Sequence, residues 1–93
     1  MSDFTVAVEH DLKNMRFVAV VDGDECDLQY RLRPGEAVFV HTGVPHRLRG
    51  RGIAAQLVRC GLDWADAQGL RVVPACSYVQ TYLRRHPRAG RAA

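Results

Sequence analysis

The chain has 93 residues, 47% of them hydrophobic and 25% charged, which suits one ordinary globular domain with a modest core. No apolar run approaches the ~18 residues of a spanning helix, and Met1–Glu9 carries acids with no basic cap, unlike a secretory signal. Cys26, Cys60 and Cys76 are widely spaced and form no CxxC pair, so neither a metal site nor a disulfide framework is expected, and a reducing, cytoplasmic setting is.

The net charge of +3 hides an asymmetry. Residues 1–46 hold four basic and eight acidic residues, whereas residues 47–93 hold nine arginines and two aspartates. The second half should favour an anionic partner, either a phosphorylated cofactor or a nucleic acid. Its aromatic residues do not interleave with the arginines, which argues against single-stranded nucleic acid.

The first half reads as strands. "FTVAVEH" alternates, with Phe4, Val6 and Val8 on one face. "MRFVAVV" (15–21) is a short β-rich run, and "DGDE" (22–25) is a turn. "CDLQYRLR" (26–33) alternates again, with Leu28, Tyr30 and Leu32 on one face, before a second turn at Pro34-Gly35. "AVFVHT" (37–42) is apolar nearly throughout and predicts a central strand covered on both faces. These runs make an antiparallel meander of four strands.

From Ile53 to Gln68 the period changes to that of a helix, with Ile53, Ala54, Leu57, Val58, Leu62 and Ala65 on one face and Gly69 as its stop. Gly61 inside it marks either a close approach to the sheet or a tolerated defect. "LRVVPAC" (70–76) predicts a fifth strand, parallel to the fourth because a helix intervenes, with Pro74 disturbing its end. "SYVQTYLRRH" (77–86) predicts a short helix with Ser77 as N-cap and Pro87 as stop. The expected organisation is one α+β domain over residues 1–93, with 88–93 a frayed tail.

"HRLRGRGIAAQL" (46–57) carries the first chemical signal. No Ser, Thr, Asp or Asn stands between Gly43 and Ile53 to cap the helix start, so its backbone N–H groups are left for an anion. Gly50 and Gly52 admit a ligand close to the backbone, and Arg47, Arg49 and Arg51 suit phosphate oxygens. No Gly-Lys-Ser/Thr follows, so this is not a Walker loop, and the spacing does not match a dinucleotide fingerprint. A glycine-rich turn with solvated arginines is the plainer alternative.

The run Arg47-Leu48-Arg49-Gly50-Arg51-Gly52, followed by Ile53-Ala54, resembles the Gln/Arg-x-x-Gly-x-Gly/Ala signature of the GNAT superfamily of N-acetyltransferases. With "VFVHTGVP", "LDWA", "GLRVVPACSYV" and "YLRRHP" in order, the chain is similar to the very short single-domain GNAT-like proteins often called YjdJ-type. The resemblance is firm over residues 38–87. It implies acetyl-CoA (coenzyme A) as cofactor, an amine as acceptor, and pyrophosphate held at Arg47, Leu48, Arg49, Gly50, Arg51, Gly52, Ile53 and Ala54. It also implies pantetheine lying along the backbone of Phe39, Val40 and Thr42, between splayed fourth and fifth strands.

Three residues are catalytic candidates. His41, on that strand, is either the base for the amine or a strand-end histidine bonded for structure. Cys76, at a strand-to-helix junction, is a nucleophile with a lowered pKa, a polar group near the thioester, or a small buried hydrophobe. Tyr82 matches the family's general acid or is a half-buried aromatic, and Tyr78 shares its helical face. Arg84, Arg85 and Arg88 either reach the 3′-phosphate of CoA or form a solvated basic end, and His46 is either a rim residue or a phosphate neighbour. No metal is expected.

The chain departs from the family in having no pair of N-terminal helices, no last strands, and His86-Pro87 where Gly-Phe is common. An acceptor pocket is then small, shared in a homodimer, or absent. The acceptor class stays open, and a non-catalytic CoA-binding module or a basic nucleic-acid-binding or adaptor domain are the alternatives.

Overall fold

A computed structural model describes residues 5–88. Five strands form one sheet in sequence order: β1 (Glu9–Asp11), β2 (Arg16–Val21), β3 (Asp24–Arg33), β4 (Glu36–Gly43) and β5 (Arg71–Pro74). β1 to β4 are an antiparallel meander, and β5 lies parallel to β4. Helix α1 (Ile53–Ala67) makes the crossover between them, and α2 (Ser77–Arg85) follows β5. This is the α+β arrangement of a minimal GNAT-like fold.

Two turns fix the register of the meander. Asp22 and Gly23 both have positive φ (51° and 82°), the geometry of a two-residue turn whose twist matches the flanking strands. Pro34 and Gly35 (φ 74°) join β3 to β4, with proline and glycine at the positions a type II turn favours.

One face of α1 is buried through Ile53, Leu57, Val58, Gly61, Leu62 and Ala65. It lies on Phe17, Leu28, Tyr30 and Phe39 of the sheet, and Val79 and Tyr82 of α2 join the same core. Gly61 is the point of closest approach. A Cβ there would stand 2.7 Å from Leu28 Cδ2 and 3.0 Å from Phe39 Cε1. The glycine is therefore a packing requirement.

Several boundaries differ from expectation. Phe4 and residues 89–93 lie outside the described residues. Residues 5–8 are not a strand, because β1 pairs with β2 only from Glu9 opposite Val18. Before that the chain turns toward α1, where the Val6 N–H donates to Gln56 Oε1 at 2.9 Å. Leu32 keeps the core-facing phase but is 51% exposed at the hairpin end. The α2 N-cap is Cys76, whose backbone is extended (φ −94°, ψ 135°), while Ser77 is already helical. β4 is covered only along its first half: Ala37 to Phe39 are buried, Val40 is half-buried and His41 is exposed.

An aromatic cluster fills the space between α1 and the β1 edge of the sheet. The His10 ring stacks on Phe17 with centroids 4.0 Å apart, meets the edge of Trp64 at 4.8 Å, and places Nε2 2.6 Å from Tyr30 Oη. Burial lowers the His10 pKa from its usual 6.5, against a smaller opposing effect of Asp11.

Gly61→Ala gains about 1 kcal/mol of helix propensity but overpacks the core at a cost of about 1–3 kcal/mol. For a net loss near 1 kcal/mol, thermal denaturation should show a Tm lower by about 4–8 °C, and an unchanged or higher Tm would contradict the packing. His10 is held neutral in the fold, so its contribution is present above the unfolded pKa and is lost as pH falls through the lowered folded one. The Tm difference between the protein and a His10→Gln variant should therefore shrink between about pH 7 and 5, where a constant difference would rule this out.

Candidate active site

The site grows from the place where β4 and β5 part. Their parallel pairing ends at Phe39 opposite Pro74, and Val40 to Gly43 pair with β3 alone. The Phe39 carbonyl accepts from the N–H groups of both Ala75 (3.0 Å) and Cys76 (2.9 Å), turning the chain out of β5 into α2. The register with β3 shifts at the same point: His41 faces Gln29 and Phe39 faces Tyr30, leaving Val40 as an extra residue, a β-bulge. Thr42, opposite Leu28, consequently lies on the helix side of the sheet. His41, opposite Gln29, lies on the other side.

A 3₁₀ turn (His46–Leu48) leads from β4 into the glycine–arginine loop. Gly50 (φ 83°) and Gly52 (φ 79°) are both left-handed, a conformation other residues adopt at a cost. Gly52 is the N-cap of α1, with no side-chain cap and no acid in the first turn. The Gln56 N–H reaches the Gly52 carbonyl at 3.2 Å, so the N–H groups ahead of it, from Ile53 to Ala55, precede the helical ladder. At Gly50 and Gly52 the space where a Cβ would stand is open.

These elements enclose a cleft of about 540 Å³ lined by Thr42, Val44, Leu48, Arg49, Gly50, Gly52, Ile53, Ala54 and Tyr78. Seven of the expected cofactor residues are among them. Phe39 and Val40 are not: the Phe39 side chain is fully buried and Val40 is the bulge. Arg47 and Arg51 also stand outside the lining. Arg47 holds Asp24 through Nη2 (2.6 Å) and Nε (2.9 Å) and donates to the Asp22 carbonyl, and Arg51 Nη1 lies 3.3 Å from Asp22 Oδ2.

Cys76 Sγ lies 3.8 Å from Thr42 Oγ1, which lines the cleft. Burial pushes the Cys76 thiol up, but the Val79 N–H, the Thr42 hydroxyl and the N–H groups of Tyr78 and Thr42 together bring it below the usual cysteine value. Cys26 and Cys60 go the other way, raised chiefly by burial and next by nearby aspartates. Tyr82 is 9% exposed, within the core, and its ring meets His86 at 4.6 Å. Tyr78 is the tyrosine that lines the cleft, and burial raises its phenol. Of the C-terminal arginines, Arg88 is bound to Asp63 (2.7 Å) and Asp66 (2.6 Å) of α1, and Arg84 Nη2 donates to Thr81 Oγ1. His46 is exposed on the 3₁₀ turn.

Sequence reasoning passed over Val44 and the bulge at Val40. An apolar residue between Gly43 and Pro45 was the only signal for the first. The bulge left none, because a run of apolar residues has no phase to break. No group of metal-ligating side chains occurs among the described residues, and no helix among them is long and apolar enough to cross a membrane.

Comparison with known proteins agrees with this geometry. A model of the GCN5-related N-acetyl-transferase family matches residues 16–92. Protein NATD1 of Xenopus tropicalis is 34% identical over 86 residues, covering 89% of this chain and 79% of that protein. Protein NATD1 of Gallus gallus is 35% identical over 85 residues (88% and 77%), and that of Homo sapiens is 34% identical over 85 (88% and 75%). A family match across most of the chain, on a fold whose strands part beside an uncapped, glycine-led helix, places this chain in the GCN5-related N-acetyltransferase family.

Proposed function

We propose that the chain transfers an acetyl group from acetyl-CoA to an amine. The observation that carries this is the cleft itself, where the left-handed Gly50 and Gly52 and the start of α1 meet the end of β4 that β5 has left, beside a thiol of lowered pKa. The open space at both glycines and the uncapped N–H groups fit a pyrophosphate. Arg49 adds a charge within the lining. Ala54 and Val44 offer apolar surface, and the backbone from Val40 to Thr42 has no β5 partner to keep it from pantetheine. Acetyl-CoA would supply an acetyl group activated as a thioester.

The chain's own residues divide the remaining work. The Cys76 thiolate, favoured by the N–H groups around Sγ, would take the acetyl group by displacing the CoA sulfur, which would leave with the proton held at Tyr78, and the amine would then displace Cys76 from the acetyl carbon and restore the thiolate. The Thr42 hydroxyl, 3.8 Å from Sγ, orients it. Tyr78, rather than Tyr82, holds a proton at the cleft, because Tyr82 is packed in the core. His41 is exposed on the opposite face and takes the proton of an incoming amine. A reducing, cytoplasmic setting suits a reaction that needs Cys76 as a free thiol. The exposed position of His41 favours one alternative, a CoA-binding module that needs no base.

Thermal denaturation should show stabilisation of about 2.7 kcal/mol by CoA or acetyl-CoA at about 100 times Kd. Tripolyphosphate at the same concentration should stabilise less, and equal shifts would reduce the site to a polyanion surface. Incubation with acetyl-CoA should leave an acetyl adduct on Cys76 detectable by mass spectrometry. Cys76→Ala should abolish the adduct and lower amine-dependent CoA release by at least about 100-fold. Undiminished release would remove Cys76 from the mechanism, and CoA binding without release in the parent protein would favour the binding module.

A further inference from the structure

The loop contains three arginines, yet only Arg49 lines the cleft. The other two are engaged by the turn between β2 and β3. Arg47 binds Asp24 twice, binds the Asp22 carbonyl, and approaches the Asp22 carboxylate at 3.9 Å, while Arg51 lies 3.3 Å from that carboxylate. A guanidinium within such distances of a carboxylate presents a dipole, whose attraction for a distant anion falls off faster than that of a bare charge. The turn is well placed for this, since Asp22 and Gly23 take left-handed conformations in a tight hairpin. All four side chains stay between 42% and 57% exposed, so the pairs sit at the rim, where any polyanion in solution would otherwise meet the arginines.

We infer that Asp22 and Asp24 are specificity-determining residues. They screen Arg47 and Arg51, so that a ligand gains affinity mainly by entering the cleft and meeting the start of α1 and Arg49, not by touching the rim. Selectivity arises by withholding charge from ligands that cannot enter. Two of the three arginines of the loop thus stand at the rim without offering a bare charge. The inference rests on the acetyl-CoA reading of the cleft.

The test is the double variant Asp22→Asn/Asp24→Asn, in which asparagine tolerates the left-handed φ of position 22. Calorimetric titration with CoA and with tripolyphosphate, across a salt series, gives the ratio of the two affinities. Tripolyphosphate should bind the variant about fivefold more tightly, with a steeper salt dependence, while CoA gains less, so that the ratio narrows. Adding Arg47→Gln/Arg51→Gln to the variant should cancel the gain. An unchanged ratio, weaker binding of both ligands, or a gain that survives loss of the two arginines overturns the inference. If the parent protein fails to bind CoA while tripolyphosphate still tightens in the variant, the acetyl-CoA reading falls and the screening stands.

Discussion

One carbonyl group decides most of this architecture. The Phe39 oxygen accepts two N–H groups, from Ala75 and Cys76, where a continuing parallel ladder would have carried the pairing onward. That double acceptance ends β5, starts α2, and leaves the last residues of β4 with one strand neighbour in place of two. The cleft exists because those backbone groups are not used up by the sheet. Phe39 is itself immobilised, its ring fully buried against the helix at Gly61. The position of the oxygen is thus fixed by core packing on one side of the strand and read out by chain direction on the other.

Electrostatics tie the two halves of the sequence together. The acids of the first half fold onto arginines of the second: Asp22 and Asp24 onto Arg47 and Arg51, and Glu36 onto Arg71 at 2.8 Å. The second half also uses its own two aspartates, which hold Arg88 against α1. Exposed pairs of this kind add at most about 1 kcal/mol each to stability. Their larger effect is on the field that a ligand feels. Four arginines of the second half, Arg47, Arg51, Arg71 and Arg88, are thereby paired with acids.

The fold was legible in the sequence wherever periodicity or turn chemistry was strong. Alternation in β3, the helical stripe from Ile53 to Ala65, and the glycines at 23, 35 and 69 each marked their elements. It was less legible where tertiary contacts decide. Residues 5–8 alternate like a strand but are drawn toward Gln56. Leu32 keeps the phase of a core residue at a hairpin end that leaves it exposed. In the site, the loop glycines and the junction at Cys76 were evident from composition and position. Whether an arginine faces the cleft or a distant aspartate depends on two turns 25 residues apart in the chain, such as Asp22 and Arg47, and local pattern carries no record of that.

The bulge at Val40 has a consequence for the geography of the site. Because one extra residue offsets the alternation, Thr42 shares a side of the sheet with Phe39 although three positions separate them, and its neighbour His41 looks the other way. The sheet thus acts as a partition with a doorway. Thr42 lines the cleft on the helical side, and His41 stands exposed on the open side. The division rests on the one extra residue between Phe39 and His41. Deleting that residue would restore the plain alternation and exchange the two sides for the positions beyond it.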